Sequence, residues 1–340
     1  MASIPIAIVR TGLATAVGLS SPATCAAVRA KLSNPSPTRF MGRQGKWLVA
    51  HQVTLSKPWV GRTRLTKLAT TVIAEVLSHI DAAQWPALPL LLCVAEPERP
   101  GRLPGLDDQL MREIQQELGL SFAPGSAVVA QGRVAVAIAL MRARALLADG
   151  AARVLVVAVD SFIHGPTLSH YECQGRVLTA DNANGFLPGE GAGALLVARP
   201  SGAAELVCHG IGLGVEPAHI DSGVPLRADG LSNAIKGALA EARCEMHDMD
   251  YRITDLSGEQ YYFKEAALAL TRTLRQRKQE FETWHPAECI GEAGALAGAA
   301  VLAVADMACR KRYSLGRNIL AHMANDSGRR AALALHFTGA

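Results

Sequence analysis

An uninterrupted apolar segment near the middle of the chain constrains the fold more than any other feature. Residues 154–159 read VLVVAV, with no polar side chain between the aliphatic ones. A strand of this kind is buried on both faces, as in a largely parallel sheet that helices cover on each side. Two segments of small aliphatic residues, about 133–148 and 293–309, predict buried helices suited to that covering role. The pattern therefore predicts a layered α/β fold.

The remaining elements repeat this alternation of strands and helices. Strands are predicted at 4–9, 88–95, 205–215, 251–256, 319–324 and 331–337, and a Gly-rich turn at 182–198 enters a further one. Helices are predicted at 21–32, 65–80, 106–118, 231–242 and 263–278. Two successive βαβα halves indicate a duplicated unit, although no clear sequence repeat joins them. The Pro-Ser-Gly turn at 200–202 divides the chain into predicted units 1–200 and 201–340. Residues 34–63 are turn-rich and are interpreted as an irregular excursion that could contain a small hairpin.

Composition excludes several classes of protein. With 49% hydrophobic residues the chain can bury a sizeable core, so it is not a disordered protein. A net charge of +4 is too small to indicate nucleic-acid binding, and the densest basic run, 272–278 (RTLRQRK), is interpreted as a solvated helix face. The longest apolar run, 293–305, is too short to span a bilayer. Seven cysteines without a CxxC spacing, and an N-terminus without a basic region, favour a reducing, cytoplasmic location.

Four sequence blocks resemble β-ketoacyl-acyl carrier protein synthases. Residues 184–199 (NGFLPGEGAGALLVAR) are similar to that family's "DGFVPGEGAGALVLE" segment. Residues 8–18 resemble its first strand and turn, 130–140 (AQGRVAVAIAL) its nucleophile turn and buried helix, and 290–300 (IGEAGALAGAA) its "IGHTxGAAGAA" segment. The resemblance implies the thiolase fold, two βαβαβαββ halves in five α/β/α/β/α layers, and a homodimer or heterodimer.

The same resemblance implies that the family's catalytic set is missing. Gln131 occupies the position of the nucleophilic cysteine, and a carboxamide cannot form an acyl-enzyme thioester. Ser257 and Glu292 occupy the positions of the two histidines, and Ala287 that of the lysine. Residues 325–330 (NDSGRR) replace the "GFGGxN" loop of the acyl pocket. The chain is therefore interpreted as a catalytically degenerate ketosynthase-like protein that holds no cofactor or metal.

Two functional hypotheses follow from this resemblance. Residues 11–30, 45–53 and 57–65 resemble short ketosynthase-like proteins of bacterial type VI secretion toxin clusters, which implies an accessory, adaptor or chaperone-like partner for a toxin effector. The alternative is a subunit that binds an acyl thioester or an acyl carrier protein in fatty acid or polyketide synthesis, either chain-length-factor-like or a Gln-type decarboxylase. A filled or polar pocket at Gln131, Ser257 and Glu292 would favour the first hypothesis, and an apolar tunnel beside a basic patch the second.

Three further motifs are assigned no active role. The CEMHDMD segment, 244–250, contains metal-capable side chains but no second ligand group, so it is interpreted as a loop after a helix. A relocated Cys173–His170 nucleophile pair would lack an orienting group. Gly210, Gly212 and Gly214 form GxGxG, and neither a Walker motif nor GxSxG occurs, so nucleotide binding and hydrolase chemistry are unsupported.

Overall fold

The described chain, residues 4–43 and 45–339 of a computed structural model, alternates strands with helices. The strands are β1 (Ile6–Ala14), β2 (Ser36–Met41), β3 (Trp47–Ala50), β4 (Leu90–Val94), β5 (Ala127–Ala130), β6 (Arg153–Ser161), β7 (Glu190–Ala198), β8 (Leu206–Val215), β9 (Tyr251–Thr254), β10 (Thr283–Trp284), β11 (Asn318–Ala324) and β12 (Arg329–Phe337). The helices are α1 (Ser21–Arg29), α2 (Gly61–Leu77), α3 (Gln109–Leu118), α4 (Ala135–Ala148), α5 (Gly165–Cys173), α6 (Asp229–Ala242), α7 (Gln260–Thr273), α8 (Ala287–Ile290) and α9 (Leu296–Arg310).

The main sheet consists of two sets of strands with the same topology. Its order is β10-β9-β11-β12-β8-β1-β7-β6-β4-β5. In each half three parallel strands are followed by two antiparallel ones, so β5-β4-β6-β7-β1 matches β10-β9-β11-β12-β8. The halves join where β1 pairs with β8, from Ile6 opposite Cys208 to Ile8 opposite Leu206. The duplication is thus visible in the topology although the sequence shows no repeat.

Helices α4 and α9 lie between the two halves and form the central layer. Helix α9 contacts β1, β6 and β7 of the first half and β8, β9 and β11 of the second. A separate apolar core lies under α2 and α3, and another under α6 and α7. Gly298 of α9 packs directly on Val136 of α4, where an added Cβ would lie 2.7 Å from the valine Cβ. Small side chains allow this close approach, and the predicted five layers and two βαβαβαββ halves are confirmed.

The predicted excursion at 34–63 contains the β2–β3 hairpin, in which Ser36 lies opposite Ala50 and Met41 opposite Trp47. The chain after its second strand binds Glu190, in the Gly-rich segment 184–199. The Glu190 carboxylate accepts a hydrogen bond from Val53 N at 3.0 Å and forms an ion pair with Arg64. The segment is therefore fixed against the sheet; Gln44, which the predicted range includes, lies outside the described residues.

The interpretation of 272–278 as a solvated helix face holds only in part. Arg275 and Arg277 are exposed, but they lie beyond helix α7, which ends at Thr273 before the chain crosses to the edge strand β10. Lys278 is not a free surface side chain, because its Nζ donates hydrogen bonds to the backbone oxygens of His247 and Met249.

The predicted boundary between residues 200 and 201 falls in the loop that joins β7 to β8. Because β1 and β8 pair directly, the two halves share one sheet, and a division of the chain into two domains at this point stays a prediction. The predicted units 1–200 and 201–340 also include residues 1–3 and 340, which lie outside the part of the chain that the structure describes. Among the described helices, none has both the length and the apolar character needed to cross a membrane.

Candidate functional site

The candidate site forms where the carboxyl ends of parallel strands meet. In the first half, Glu96 and Arg99 follow β4, Gln131 and Arg133 follow β5, and Asp160 lies near the end of β6. In the second half, the loops after β9, β10 and β11 contribute side chains to the same region. Parallel strands bring their carboxyl ends to one edge of a sheet, which is where open α/β folds place their ligand sites.

Gln131 lies at the turn between β5 and α4. A short 3-10 segment, Gly132–Val134, follows it and leads into α4. Its carboxamide oxygen accepts a hydrogen bond from the Arg329 guanidinium. Its backbone oxygen accepts another from Asn325 Nδ2 at 3.4 Å. Gln131 is therefore held by Asn325, in the loop between β11 and β12, and by Arg329, the first residue of β12.

Ser257 and Glu292 are in direct contact. The Ser257 hydroxyl donates a hydrogen bond to Glu292 Oε2 at 2.8 Å, and Gly294 N donates to Glu292 Oε1 at 3.0 Å. Glu292 is 3% exposed, and its charge is balanced by Arg133, whose Nη1 lies 3.1 Å from Oε2. The structure thus brings Ser257 into direct contact with Glu292. Gln131 is linked to Glu292 indirectly, because it lies two residues before Arg133, which binds Glu292.

Ala287 is the first residue of α8 and lies beside Glu292. Together with Asp255 it lines a cavity of about 10 Å³, enough for about one water molecule. A methyl group at this position supplies neither charge nor a hydrogen-bond donor to the site.

Arg133 is the centre of the site. Its Nη2 donates hydrogen bonds to the Tyr262 hydroxyl at 2.7 Å and to Asp326 Oδ1 at 2.6 Å. Its guanidinium carbon lies 4.5 Å from the centre of the Tyr262 ring, and Asp255 lies 4.0 Å from Nε. Burial alone would lower the pKa of Arg133, but Tyr262, Glu292 and Asp326 raise it well above its usual value. The guanidinium therefore stays charged although it is buried.

Arg176 forms a second ion-pair group that shares Asp326 with the first. It binds both carboxylate oxygens of Glu259, at 2.6 and 3.0 Å, and both of Asp326, at 2.9 and 3.1 Å. Tyr171 donates a further hydrogen bond to Asp326 at 3.0 Å. Burial alone would raise the pKa of Asp326, yet the charges of Arg133 and Arg176 hold it well below its usual range.

Arg99 forms the third group, with Glu96 and Asp160. It binds both Glu96 oxygens, at 3.0 and 2.7 Å, and lies 3.3 Å from Asp160. The Glu96 carboxylate also packs against the turn after β5, because a Cβ at Gly132 would lie 2.0 Å from its Oε2. The turn can approach this closely because Gly132, at φ +53°, has no side chain.

We call these eight side chains the arginine–carboxylate cluster: Arg99, Arg133, Arg176, Glu96, Asp160, Glu259, Glu292 and Asp326. All of them except Asp160 surround, with the rings of Phe162, Tyr171 and Phe186, a cavity of about 0 Å³. Seven of the eight are buried, and the side chain of Asp326 is 20% exposed. The site is therefore filled by ion pairs.

The chemistry open to this arrangement is limited. The cluster contains neither a thiol nor an imidazole, and each of its carboxylates already faces a guanidinium. Burial also raises the pKa of the Cys25, Cys93 and Cys208 thiols, so these side chains are poor sources of thiolate. The arrangement holds charge in place and offers no activated nucleophile.

The sequence did not predict most of this cluster. The resemblance points to Gln131, Ser257 and Glu292, whereas it points to neither Arg133 nor Arg176. Arg133 did carry a signal, since it is a charged residue directly before the apolar stretch 134–140. Arg176 carried none, because it lies in an irregular segment between α5 and β7.

The other motifs take structural roles among the described residues. Cys244 follows α6, and Glu245 and Asp248 cap a 3-10 turn at Met246–Asp248, as the loop interpretation predicted. In the described part of the chain, no hydrogen bond joins exposed Cys173 to His170, whose ring instead contacts Tyr171. A nucleophilic pair at these two positions therefore has no geometric support.

Asp255 gives the site a testable pH dependence. Burial raises its pKa to about 7, although Arg133 and a hydrogen bond from Ala324 N oppose the increase. Because this value exceeds the ~3.9 of an unfolded chain, Asp255 contributes its full stability below about pH 4 and loses it as the pH rises through 7. We expect Asp255→Asn to flatten the pH dependence of the free energy of unfolding between these values. Urea unfolding at stepped pH measures it, and an unchanged slope in the variant would contradict the assignment.

Comparison with known proteins gives a match at the level of the fold. No protein-family model matches the chain, and no curated protein matches it. Among solved structures, the ishigamide ketosynthase/chain length factor is similar with a TM-score of 0.77 and 18% identity, over 99% of this chain and 100% of that one. A ketosynthase complex from Xenorhabdus doucetiae, with its chain length factor, has a TM-score of 0.74 and 12% identity over 98% of each chain.

A third similar structure is that of a type II polyketide synthase acyl-carrier protein in complex with its ketosynthase bound to the hexaketide. Its TM-score is 0.79 at 13% identity, over 98% of this chain and 100% of that chain. At such low sequence identity, these similarities show that the backbone has the same fold and topology, and no more. The chain therefore adopts the thiolase fold, as its sequence predicted, in the form found in ketosynthases and chain length factors.

Proposed function

We propose that this chain is a non-catalytic subunit of ketosynthase fold that acts by pairing with another protein, in the manner of a chain length factor with its ketosynthase. The observation that supports the proposal is the arginine–carboxylate cluster, which holds Glu292, a residue that the resemblance aligns with a catalytic histidine, among side chains that leave a cavity of about 0 Å³. A thioester substrate would have to displace buried ion pairs, which costs several kcal/mol for each charge left buried without its partner.

The residues at the catalytic positions support the loss of condensing activity. The Gln131 carboxamide cannot accept an acyl group as a thioester. A condensing enzyme also stabilises a developing enolate with hydrogen-bond donors. Glu292 presents a carboxylate there, and its charge would oppose the enolate even though Arg133 partly offsets it. Ala287 adds no compensating cation.

The choice of partner rests on the solved structures. Two of the three reported above are named for a ketosynthase together with a chain length factor. These names favour a heterodimer with a ketosynthase-type subunit over a toxin partner. An acyl carrier protein would then contact the pair, while the filled site argues against this chain holding the acyl group itself.

A secretion accessory is the second candidate, and only the sequence favours it. Residues 11–30, 45–53 and 57–65 carry the phrases that resemble proteins of type VI secretion toxin clusters. A filled reaction centre suits this role equally, because an adaptor or chaperone-like protein needs surfaces and not a pocket.

Co-expression with neighbouring genes separates the two candidates. We expect a stoichiometric complex with a ketosynthase, and condensing activity in that complex which survives Gln131→Ala. A stoichiometric complex with a toxin or adaptor instead would support the second candidate.

The chain alone should form no acetyl product from malonyl thioester and no acyl adduct by intact mass spectrometry. Gln131→Cys should remain inactive as well, because Ser257 and Glu292 still occupy the histidine positions and the cluster still fills the site. Acetyl product from the isolated wild-type chain would refute the non-catalytic role.

A further inference from the structure

The N-terminal part of the chain has a one-sided charge distribution. Its first acidic residue is Glu75, which follows ten Lys and Arg residues. The whole chain carries only +4, so the compensating acidic residues lie further along the sequence. Folding could in principle neutralise every one of these cations with carboxylates from later segments.

The structure neutralises some of them and leaves others exposed. Arg62 pairs with Glu113 at 2.8 Å, Arg64 with Glu190, and Lys67 with Glu117. Arg39 and Lys57 are exposed, and neither has a carboxylate partner among the described residues. Unpaired cations that persist after folding are available to an outside ligand.

Arg39 and Lys57 both lie on one groove, of about 510 Å³, between residues 34–64 and the loop after β6. We call it the 34–64 groove. Its apolar surface is provided by Phe40, Leu55, Trp59, Val60, Leu103 and Ile163. The acidic side chain in its lining is Glu190, which is 2% exposed and already paired with Arg64. The groove thus combines an apolar surface with a cationic rim.

We propose that the 34–64 groove binds an acidic segment of a partner protein, with apolar side chains in the groove and carboxylates at Arg39 and Lys57. The inference rests on the proposed role as a partner subunit and adds the chemistry of the partner's contact. Charge complementarity selects an acidic segment, and the 53% exposed Val60 with the aliphatic side chains of Leu55, Leu103 and Ile163 supplies area for apolar anchors.

A nucleic acid fits this groove less well. Single strands bind by stacking bases on free aromatic rings along a continuous cationic track. Here the Lys67 ammonium already lies 5.2 Å from the centre of the Trp59 ring, and two unpaired rim cations do not make a track.

The test uses a short fluorescein-labelled peptide of Glu, Leu and Phe and measures its fluorescence anisotropy with the full chain. Arg39→Glu with Lys57→Glu should weaken binding by about 10-fold or more, and added salt should weaken wild-type binding. The matched control is Arg275→Glu with Arg277→Glu, which makes the same charge change at two other exposed arginines. It should leave binding within about 2-fold of wild type, since screening limits distant charges.

Three outcomes overturn the inference: no peptide binding by the wild-type chain, equal weakening by both pairs of substitutions, or tighter binding of single-stranded DNA than of the peptide. Circular dichroism and urea unfolding establish that both variants fold. Complex formation with a ketosynthase is measured separately. If the complex with a ketosynthase forms normally but the peptide does not bind, the proposed binding at the 34–64 groove is wrong and the proposed role as a partner subunit is still supported.

Discussion

Replacing Arg133 with Met is expected to lower the free energy of unfolding by about 3–5 kcal/mol, because it strands buried carboxylates without their counter-charge. Glu292 and Asp326 both bind this guanidinium directly, at 3.1 and 2.6 Å. Methionine has a similar volume, so loss of packing contributes little. Chemical denaturation monitored by circular dichroism measures the change.

Arg329→Met is the matched control. It makes the same substitution at an exposed arginine whose side chain binds Gln131, so its effect should stay within about 0.5 kcal/mol. A triple variant, Arg133→Met with Glu292→Gln and Asp326→Asn, should recover part of the loss, because it removes the stranded charges as well. If Arg133→Met costs less than about 1 kcal/mol, the ion pairs do not hold the site together.

Gly212→Ala is expected to prevent stable folding, although it adds a single methyl group. Every second residue of β8, from Gly210 to Gly214, faces α6 without a side chain. A Cβ at Gly212 would lie 1.9 Å from the backbone oxygen of Ala234, and one at Gly210 would lie 2.0 Å from that of Ala238. Backbone atoms of a helix cannot rotate away as a side chain can, so the whole helix would have to move.

The expected cost for Gly212→Ala exceeds about 3 kcal/mol, at the upper end of overpacking effects. Soluble yield and thermal unfolding measure it. Gly223→Ala serves as the control, because no atom lies within 4 Å of its added Cβ. A Gly212→Ala protein as stable as the control would mean that α6 packs less closely on β8 than described.

The fold was predictable because its signals are local. The apolar run of β6 and the small-residue helices α4 and α9 identify the buried layers from neighbouring residues alone. By its spacing, the GxGxG stretch of β8 shows only that it is not a nucleotide-binding motif. Its role in packing against α6 cannot be inferred from the stretch itself, because α6 lies further along the chain. Local pattern thus gave the elements, whereas the close contacts between them needed the topology.

The candidate site was predictable only at the positions that alignment could reach. Gln131, Ser257 and Glu292 lie in or near segments that resemble ketosynthase motifs, so the resemblance alone points to them. The partners of Arg133 come from loops after β9, β10 and β11, which the fold brings to one edge although they are far apart in the sequence. No regular spacing in the sequence indicates that these residues are in contact. The ion pairs therefore required the three-dimensional arrangement.

The place of β1 in the sheet has a consequence for how the protein is made. β1 is translated before the other strands of this sheet, yet its neighbours are β7, which ends at Ala198, and β8, which begins at Leu206. Until those residues have been translated, an apolar strand with two unpaired edges waits in the nascent chain, where it is open to aggregation. Pairing over so long a separation is also slow, since the intervening loop must be closed first. Growth of the nascent chain, rather than local propensity, sets the earliest moment at which the centre of this sheet can form.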